Sequence, residues 1–132
     1  MVVIDELTSF KNRTTKRWKA IRKVRSSLKK VVGLTGTPIA NGLLDLWAQV
    51  WLLDQGESLG KSFSKYREAY FDPDQRNKEI IYSWKPRPGS LTVIQQKVQD
   101  VCISMKSEDW LDLPDIIYNR INVCLLYTSD SA

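Results

Sequence analysis

The apolar residues of this 132-residue chain fall into short runs whose spacing alternates between unbroken and helical. Val2-Val3-Ile4 is an unbroken β-branched run ending at Asp5, the pattern of a short buried strand. Thr14 and Thr15 are candidate N-caps for a helix over about residues 15–29. Within it, Trp18, Ile21, Val24 and Leu28 form one narrow apolar stripe, with Lys16, Lys19, Lys23 and Lys30 off it. Val31-Val32-Gly33-Leu34-Thr35 reads as a second buried strand, closed by the turn Gly36-Thr37-Pro38. A helix near residues 42–54 is apolar on most sides, from Leu43 to Leu53, and is expected to be largely buried. A third helix, near 61–71, places Phe63, Tyr66, Tyr70 and Phe71 close to one face, and Asp72-Pro73-Asp74 terminates it. Residues 72–90 are polar and proline-rich, which predicts an irregular insertion holding one short strand, Ile80 to Trp84. A fourth helix is expected near 91–101, a strand at Ile103-Ser104-Met105, and an edge strand where Ile116 to Val123 alternates.

Strand, helix, strand, helix with short links argues for an α/β fold with a parallel sheet. Two or three strands are too few for a stable sheet of that kind, so the remaining strands are expected outside this chain. The aromatics Trp18, Trp47, Trp51, Tyr66, Tyr70, Phe71 and Trp84 sit mostly on helix stripes. That favours core packing over a platform for stacked bases.

Composition is that of an ordinary globular domain, with 42% hydrophobic and 27% charged residues. No apolar run approaches the ~20 residues of a membrane span, and the N-terminus lacks the pattern of a secretion signal. A cytoplasmic protein without a membrane partner is therefore expected. Cys102 and Cys124 are too few for a zinc site. The absence of histidine removes the schemes in which histidine activates a serine or cysteine. Charge sharpens the picture. Ten of the twenty basic residues lie between Lys11 and Lys30, and no acid occurs between Glu6 and Asp45. So one-sided a block suits either a polyanionic partner or a solvated face opposite acids elsewhere.

Two motifs carry candidate chemistry. Val2-Val3-Ile4-Asp5-Glu6 places two carboxylates at the C-terminal tip of a strand, the edge where open α/β sheets bind ligands. Phosphoryl transfer needs one carboxylate to hold Mg²⁺ and a group to orient water; Asp5 suits the first role and Glu6 the second. Leu34-Thr35-Gly36-Thr37-Pro38 also follows a predicted strand, and successive tips of a parallel sheet lie on one edge. The hydroxyls of Thr35 and Thr37 are therefore expected near Glu6, with Gly36 permitting close backbone approach.

Together, Ile4-Asp5-Glu6, the basic segment, Gly33 to Asn41 and Leu44-Asp45-Leu46-Trp47 resemble motifs II and III of superfamily 2 helicase-like ATPases. Thr35-Gly36-Thr37-Pro38, Asn41 and the following Leu/Trp helix are most similar to the Swi/Snf-type branch. Phe71-Asp72-Pro73, Tyr82 to Pro86, and Ser104-Met105-Lys106 through Asp112-Leu113-Pro114 resemble its phage and bacterial members. The resemblance spans about residues 1–123. It implies the C-terminal part of the first RecA-like lobe of a P-loop NTPase, cut off at its N-terminus, with an incomplete sheet. It implies ATP and Mg²⁺ as cofactors in the complete protein, Asp5 as the metal-coordinating acid and Glu6 as the catalytic acid. Thr35, Gly36 and Thr37 would lie at the nucleotide and couple its state to nucleic acid, and Asn41 would support that loop. Lys11, Arg13, Thr37 and Asn41 would face DNA, most naturally double-stranded, and a second RecA-like lobe would complete the motor. Leu7-Thr8 stands where the family often has Ala-His or Gly-His, which removes any coupling role for a histidine there.

Other features bound this reading. No Gly-x-x-x-x-Gly-Lys-Ser/Thr phosphate loop occurs in the chain. Gly60-Lys61-Ser62 imitates the end of one, but its spacing from Gly56 is one residue short and it follows a predicted helix, so it reads as a helix cap. The isolated chain is thus expected not to hydrolyse ATP. Residues 124–132 break the preceding pattern and resemble a translated transposase sequencing adapter, a tail foreign to the domain. A non-enzymatic basic nucleic-acid-binding module, or a degenerate remnant, is the alternative from another class. A different superfamily 2 translocase is a third.

Overall fold

A computed structural model describes residues 1–36, 39, 42–76, 81–105, 111–112 and 114–124. Its elements run β1 (Val2–Ile4), α1 (Lys16–Val24), β2 (Val31–Gly33), α2 (Leu46–Asp54), α3 (Phe63–Tyr70), β3 (Phe71–Arg76), β4 (Ile81–Pro86) and α4 (Ser90–Val98). Short 3-10 turns cover Leu7–Phe10, Arg25–Ser27 and Leu43–Asp45. The fold is mixed α/β. Strands β1 and β2 pair in parallel, Val2 opposite Val31 and Ile4 opposite Gly33. Strands β3 and β4 form a separate antiparallel hairpin. No helix among the described residues is long and apolar enough to cross a membrane.

The core is assembled around α2. Its Leu46, Trp47, Ala48, Val50 and Leu52 are all buried, as expected of a helix apolar on most sides. Trp18 from α1, Tyr66 from α3, Phe71 from β3 and Ile94 from α4 close around it. The indoles of Trp18, Trp47 and Trp51 lie 5.5–6.5 Å apart between ring centroids, within the range of favourable aromatic pairs. Two of the indoles also have their polar ends satisfied: Trp18 donates to Ala48 O (2.9 Å) and Trp47 to Gly60 O (3.0 Å). These aromatics are core, as their helical spacing indicated.

Several expectations are corrected. The first helix does not reach residue 29; it gives way to the 3-10 turn at Arg25, so Val24 is left half exposed and Arg25 takes the inward position. The second strand ends at Gly33, short of Thr35. The helix expected over 42–54 begins with a 3-10 turn and becomes α-helical only at Leu46. The third and fourth helices are shorter than expected, Phe63–Tyr70 and Ser90–Val98. Residues 72–90 are not an irregular insertion with a single strand. Pro73 lies within β3, opposite Trp84, in a ribbon that has only edge strands and a register shift beside the proline, where a missing N–H is tolerated. Val2 and Val3 are exposed, and of β1 only Ile4 is buried. Neither 103–105 nor 116–123 forms a strand: Ile117 and Ile121 lie exposed on irregular chain, because alternation creates a strand only where a paired edge receives it.

Links between helices are set by local polar geometry. Gln55 ends α2 in the left-handed region (φ 59°), and the Asp54 carboxylate accepts from the Gly56 and Ser58 amides, both at 2.9 Å. Gly56 has φ 88°, and a Cβ there would lie 2.8 Å from Gly60 O. Ser62 then caps α3, accepting from Lys65 N. The Gly56–Ser62 stretch is therefore a helix-to-helix link, as its spacing implied.

Tyr66 ties α3 to the start of the second helical segment, its phenol donating to Leu43 O at 2.6 Å. Burial, with a smaller contribution from Tyr70, pushes its pKa well above the ordinary tyrosine value. The folded state keeps this proton at pH values where the unfolded chain loses it. Its contribution is complete below the unfolded pKa near 10 and is lost as pH rises beyond it. Tyr66→Phe is expected to cost about 1–3 kcal/mol at neutral pH. It is also expected to flatten the alkaline decline in stability, measured by urea unfolding at pH 7 and above pH 10. Gly33→Ala is expected to destabilise by about 1–3 kcal/mol, because its Cβ would fall 2.5 Å from Leu7 Cδ2. A melting temperature unchanged from the parent chain would refute that close packing.

Candidate functional site

The end of β1 is built by one backbone reversal. Glu6 adopts a left-handed conformation (φ 53°, ψ 61°), uncommon for a residue with a Cβ. The reversal turns Leu7 into the core, at 4% exposure, while Asp5 and Glu6 stay at the surface. Asp5 Oδ1 accepts the Glu6 amide at 3.0 Å, which braces the turn and leaves Oδ2 without a partner among the described residues. Leu34 N donates to Ile4 O and Leu7 N donates to Leu34 O, each at 2.9 Å. These two bonds stitch the chain just after β1 to the chain just after β2.

The structure therefore brings Asp5, Glu6, Thr35 and Gly36 to one edge of the parallel pair. Thr35 is half-buried, and its hydroxyl is shielded from solvent without a hydrogen-bond partner among the described residues. A cavity of about 540 Å³ adjoins it, lined by Gly33 to Gly36 on one side and by α2, α4 and residues 101–105 on the other. Thr37 and Asn41, with Pro38 between them, lie outside the described residues. Lys11 and Arg13 lie in the segment that leads into α1. They line a second cavity, of about 490 Å³, with Leu44, Asp45, Ala48 and Phe63.

A group of three or more metal-ligating side chains is absent among the described residues. Mg²⁺ is a hard ion that retains water and takes phosphate oxygens with one or two carboxylates. The free Oδ2 of exposed Asp5 fits such a role.

The basic segment divides by residue type. Arg25 is buried and spends its guanidinium on the carbonyls of Leu52, Leu53 and Leu28. It thereby caps the C-terminal end of α2, where a cation is favoured. Arg13, Arg17 and Arg22 lie over aromatic rings. Lys16, Lys19, Lys23, Lys29 and Lys30 are exposed. These lysines form a solvated face, with Arg17 and Arg22 also exposed beside their rings, and Arg25, counted with the polyanion-facing residues by charge alone, is structural. No local pattern marks it; its partner lies 27 residues away.

The SNF2-related domain profile matches residues 1–104 of this chain. The chain belongs to that family. It is 35% identical over 127 residues to putative protein p41 of Acyrthosiphon pisum secondary endosymbiont phage 1, an alignment covering 92% of this chain and 28% of that protein. A 47-residue stretch is 49% identical to an uncharacterized ATP-dependent helicase of Mycoplasma pneumoniae, covering 36% of this chain and 4% of the helicase. A 52-residue stretch is 36% identical to helicase ssl-1 of Caenorhabditis elegans, covering 39% of this chain and 2% of that protein. The chain thus spans about a quarter of the phage relative and a few per cent of the two helicases. No solved structure matches it.

Arg25→Met is expected to destabilise the chain by about 2–4 kcal/mol, by leaving buried carbonyls at the end of α2 unpartnered. Lys23→Met, one helical turn from solvent-facing Lys19, is expected to change stability by less than about 0.5 kcal/mol. Chemical denaturation of the two variants side by side checks the division.

Proposed function

We propose that residues 1–123 are the C-terminal part of the first RecA-like lobe of an ATP-dependent DNA translocase or helicase. Residues 124–132 are a tail foreign to the lobe. The observation that carries this reading is the parallel pairing that sets Asp5 and Glu6 beside Leu34, Thr35 and Gly36, in a chain of the SNF2-related domain family. Exposed Val2 and Val3, in a sheet of only two strands, support a lobe completed by further strands of the full protein.

In this reading Asp5 would hold Mg²⁺. Mg²⁺ and ATP, when bound, would supply the scissile phosphoanhydride and neutralise charge on its oxygens. Glu6, held out from the sheet by its left-handed backbone, orients water and accepts its proton. Motif III, Thr35-Gly36-Thr37, reports nucleotide state to the nucleic-acid side. The unpartnered Thr35 hydroxyl is a donor awaiting an acceptor brought by the bound nucleotide or the completed lobe. Lys11, Arg13, Thr37 and Asn41 face DNA, double-stranded in the working complex, and a second RecA-like lobe closes over the nucleotide. The protein acts in the cytoplasm of a bacterial or phage-infected cell.

The test is DNA-stimulated ATP turnover by the longer reading frame. Glu6→Gln is expected to lower turnover by about 10²–10⁴-fold while ATP binding persists. Undiminished turnover in that variant overturns the assignment.

A further inference from the structure

Arg13, before α1, and Arg67, on α3, converge on a single ring. Their guanidinium carbons lie 4.2 Å and 5.6 Å from the centroid of Phe63. Arg67 also lies 4.4 Å from the centroid of Trp84 on β4, so the order Arg13, Phe63, Arg67, Trp84 is an alternating ladder of cations and rings. Two cations thus share one ring, and a strand carrying successive phosphates is a ligand that two spaced cations suit.

Neither side chain donates a hydrogen bond or forms an ion pair among the described residues. Their Nε atoms are sealed against the stack without a partner. Their terminal nitrogens, which are not among the sealed atoms, have no acceptor among the described residues either. This sets them apart from Arg25 and Arg87, whose guanidiniums are consumed by carbonyls and, for Arg87, by Asp72. Arg17 and Arg22 also stack without hydrogen bonds, but they share no ring with each other. Beside the ladder, Lys11 lines the same cavity as Arg13 and Phe63 and makes no ion pair with Asp45, a carboxylate of that lining.

We propose that Arg13 and Arg67, with Lys11 in the adjoining cavity, form a phosphate-binding subsite for the backbone of a nucleic-acid strand. The proposal rests on the nucleic-acid partner of the preceding section and adds α3 and the hairpin to the surface that meets it. The geometry selects phosphates over bases. Guanidiniums already lie over Phe63 and Trp84, so those rings offer less face for base stacking, while the donors at the edges of the ladder match phosphate oxygens.

Fluorescence anisotropy of the whole chain with a short labelled duplex, across a salt series, tests it. Arg13→Gln, Arg67→Gln and Lys11→Gln are each expected to weaken binding about three- to tenfold and to lower the slope of log K against log[salt] by about one. Lys97→Gln, at an exposed position of α4 outside the site, is expected to change neither. Lys11 stacks on no ring, so its loss reports phosphate contact even if an arginine variant unfolds, which circular dichroism detects. Parent-like affinity and slope in Lys11→Gln and in folded Arg67→Gln overturn the subsite while leaving nucleic-acid binding through the lysine face intact. A parent chain that binds a mononucleotide at these residues but no duplex overturns it in favour of a free phosphate ester. A parent chain that binds neither also overturns it, and ATP hydrolysis then still stands or falls on Glu6→Gln.

Discussion

The contact between Leu7 and Gly33 governs how this chain presents its chemistry. Leu7 occupies the space that any other residue at position 33 would fill with a side chain. It can do so only because the backbone reverses at Glu6 immediately before it. The reversal, the missing Cβ and the paired bonds between Leu34 and the chain around Ile4 and Leu7 form one mechanical unit. Remove the close approach and the two acids lose their fixed relation to Thr35 and Gly36. A strand pair of three residues each contributes little by itself. Its register is held by what packs beneath it.

Beneath it stands α2, and the rest of the molecule is organised by how that helix is kept. Its own Trp47 and Trp51 pack against Trp18 of α1, and the Trp18 and Trp47 indole nitrogens are tied to carbonyls. Arg25 closes its C-terminal end. These are long-range ties, joining residues far apart in the chain, and they make α1 more than a carrier of positive charge. The basic segment is partly architecture: Arg25 is spent on carbonyls and the other arginines lie over rings, while the lysines from Lys16 to Lys30 face water. Arginine suits the first task because a planar, weakly hydrated guanidinium stacks and donates in a fixed fork. An ammonium stays hydrated.

Much of this was legible in the residues. The parallel pairing, the burial of the apolar helix and the proximity of the two strand tips follow from period and order alone. Gly60-Lys61-Ser62 was separable from a phosphate loop by spacing and context. What was not legible depended on partners distant in sequence. The β3–β4 hairpin was hidden because Pro73 signals a break, and only the lone ribbon around it makes a proline harmless. The alternation from Ile116 to Val123 looked like a strand, yet its pairing edge is not supplied by the described residues. Arg25 counted as one charge among ten until α2 was seen to end against it. The ladder through Phe63 joins a loop, a helix and a hairpin, and no local window contains all three.

The bond from Tyr66 to Leu43 has a mechanical consequence for α2. Leu43 opens the 3-10 turn that leads into that helix, and Tyr66 fastens it to α3. Arg25, from the turn after α1, holds the carbonyls at the other end. The helix is pinned at both ends like a beam on two supports. A load on either support is passed to a different neighbouring helix.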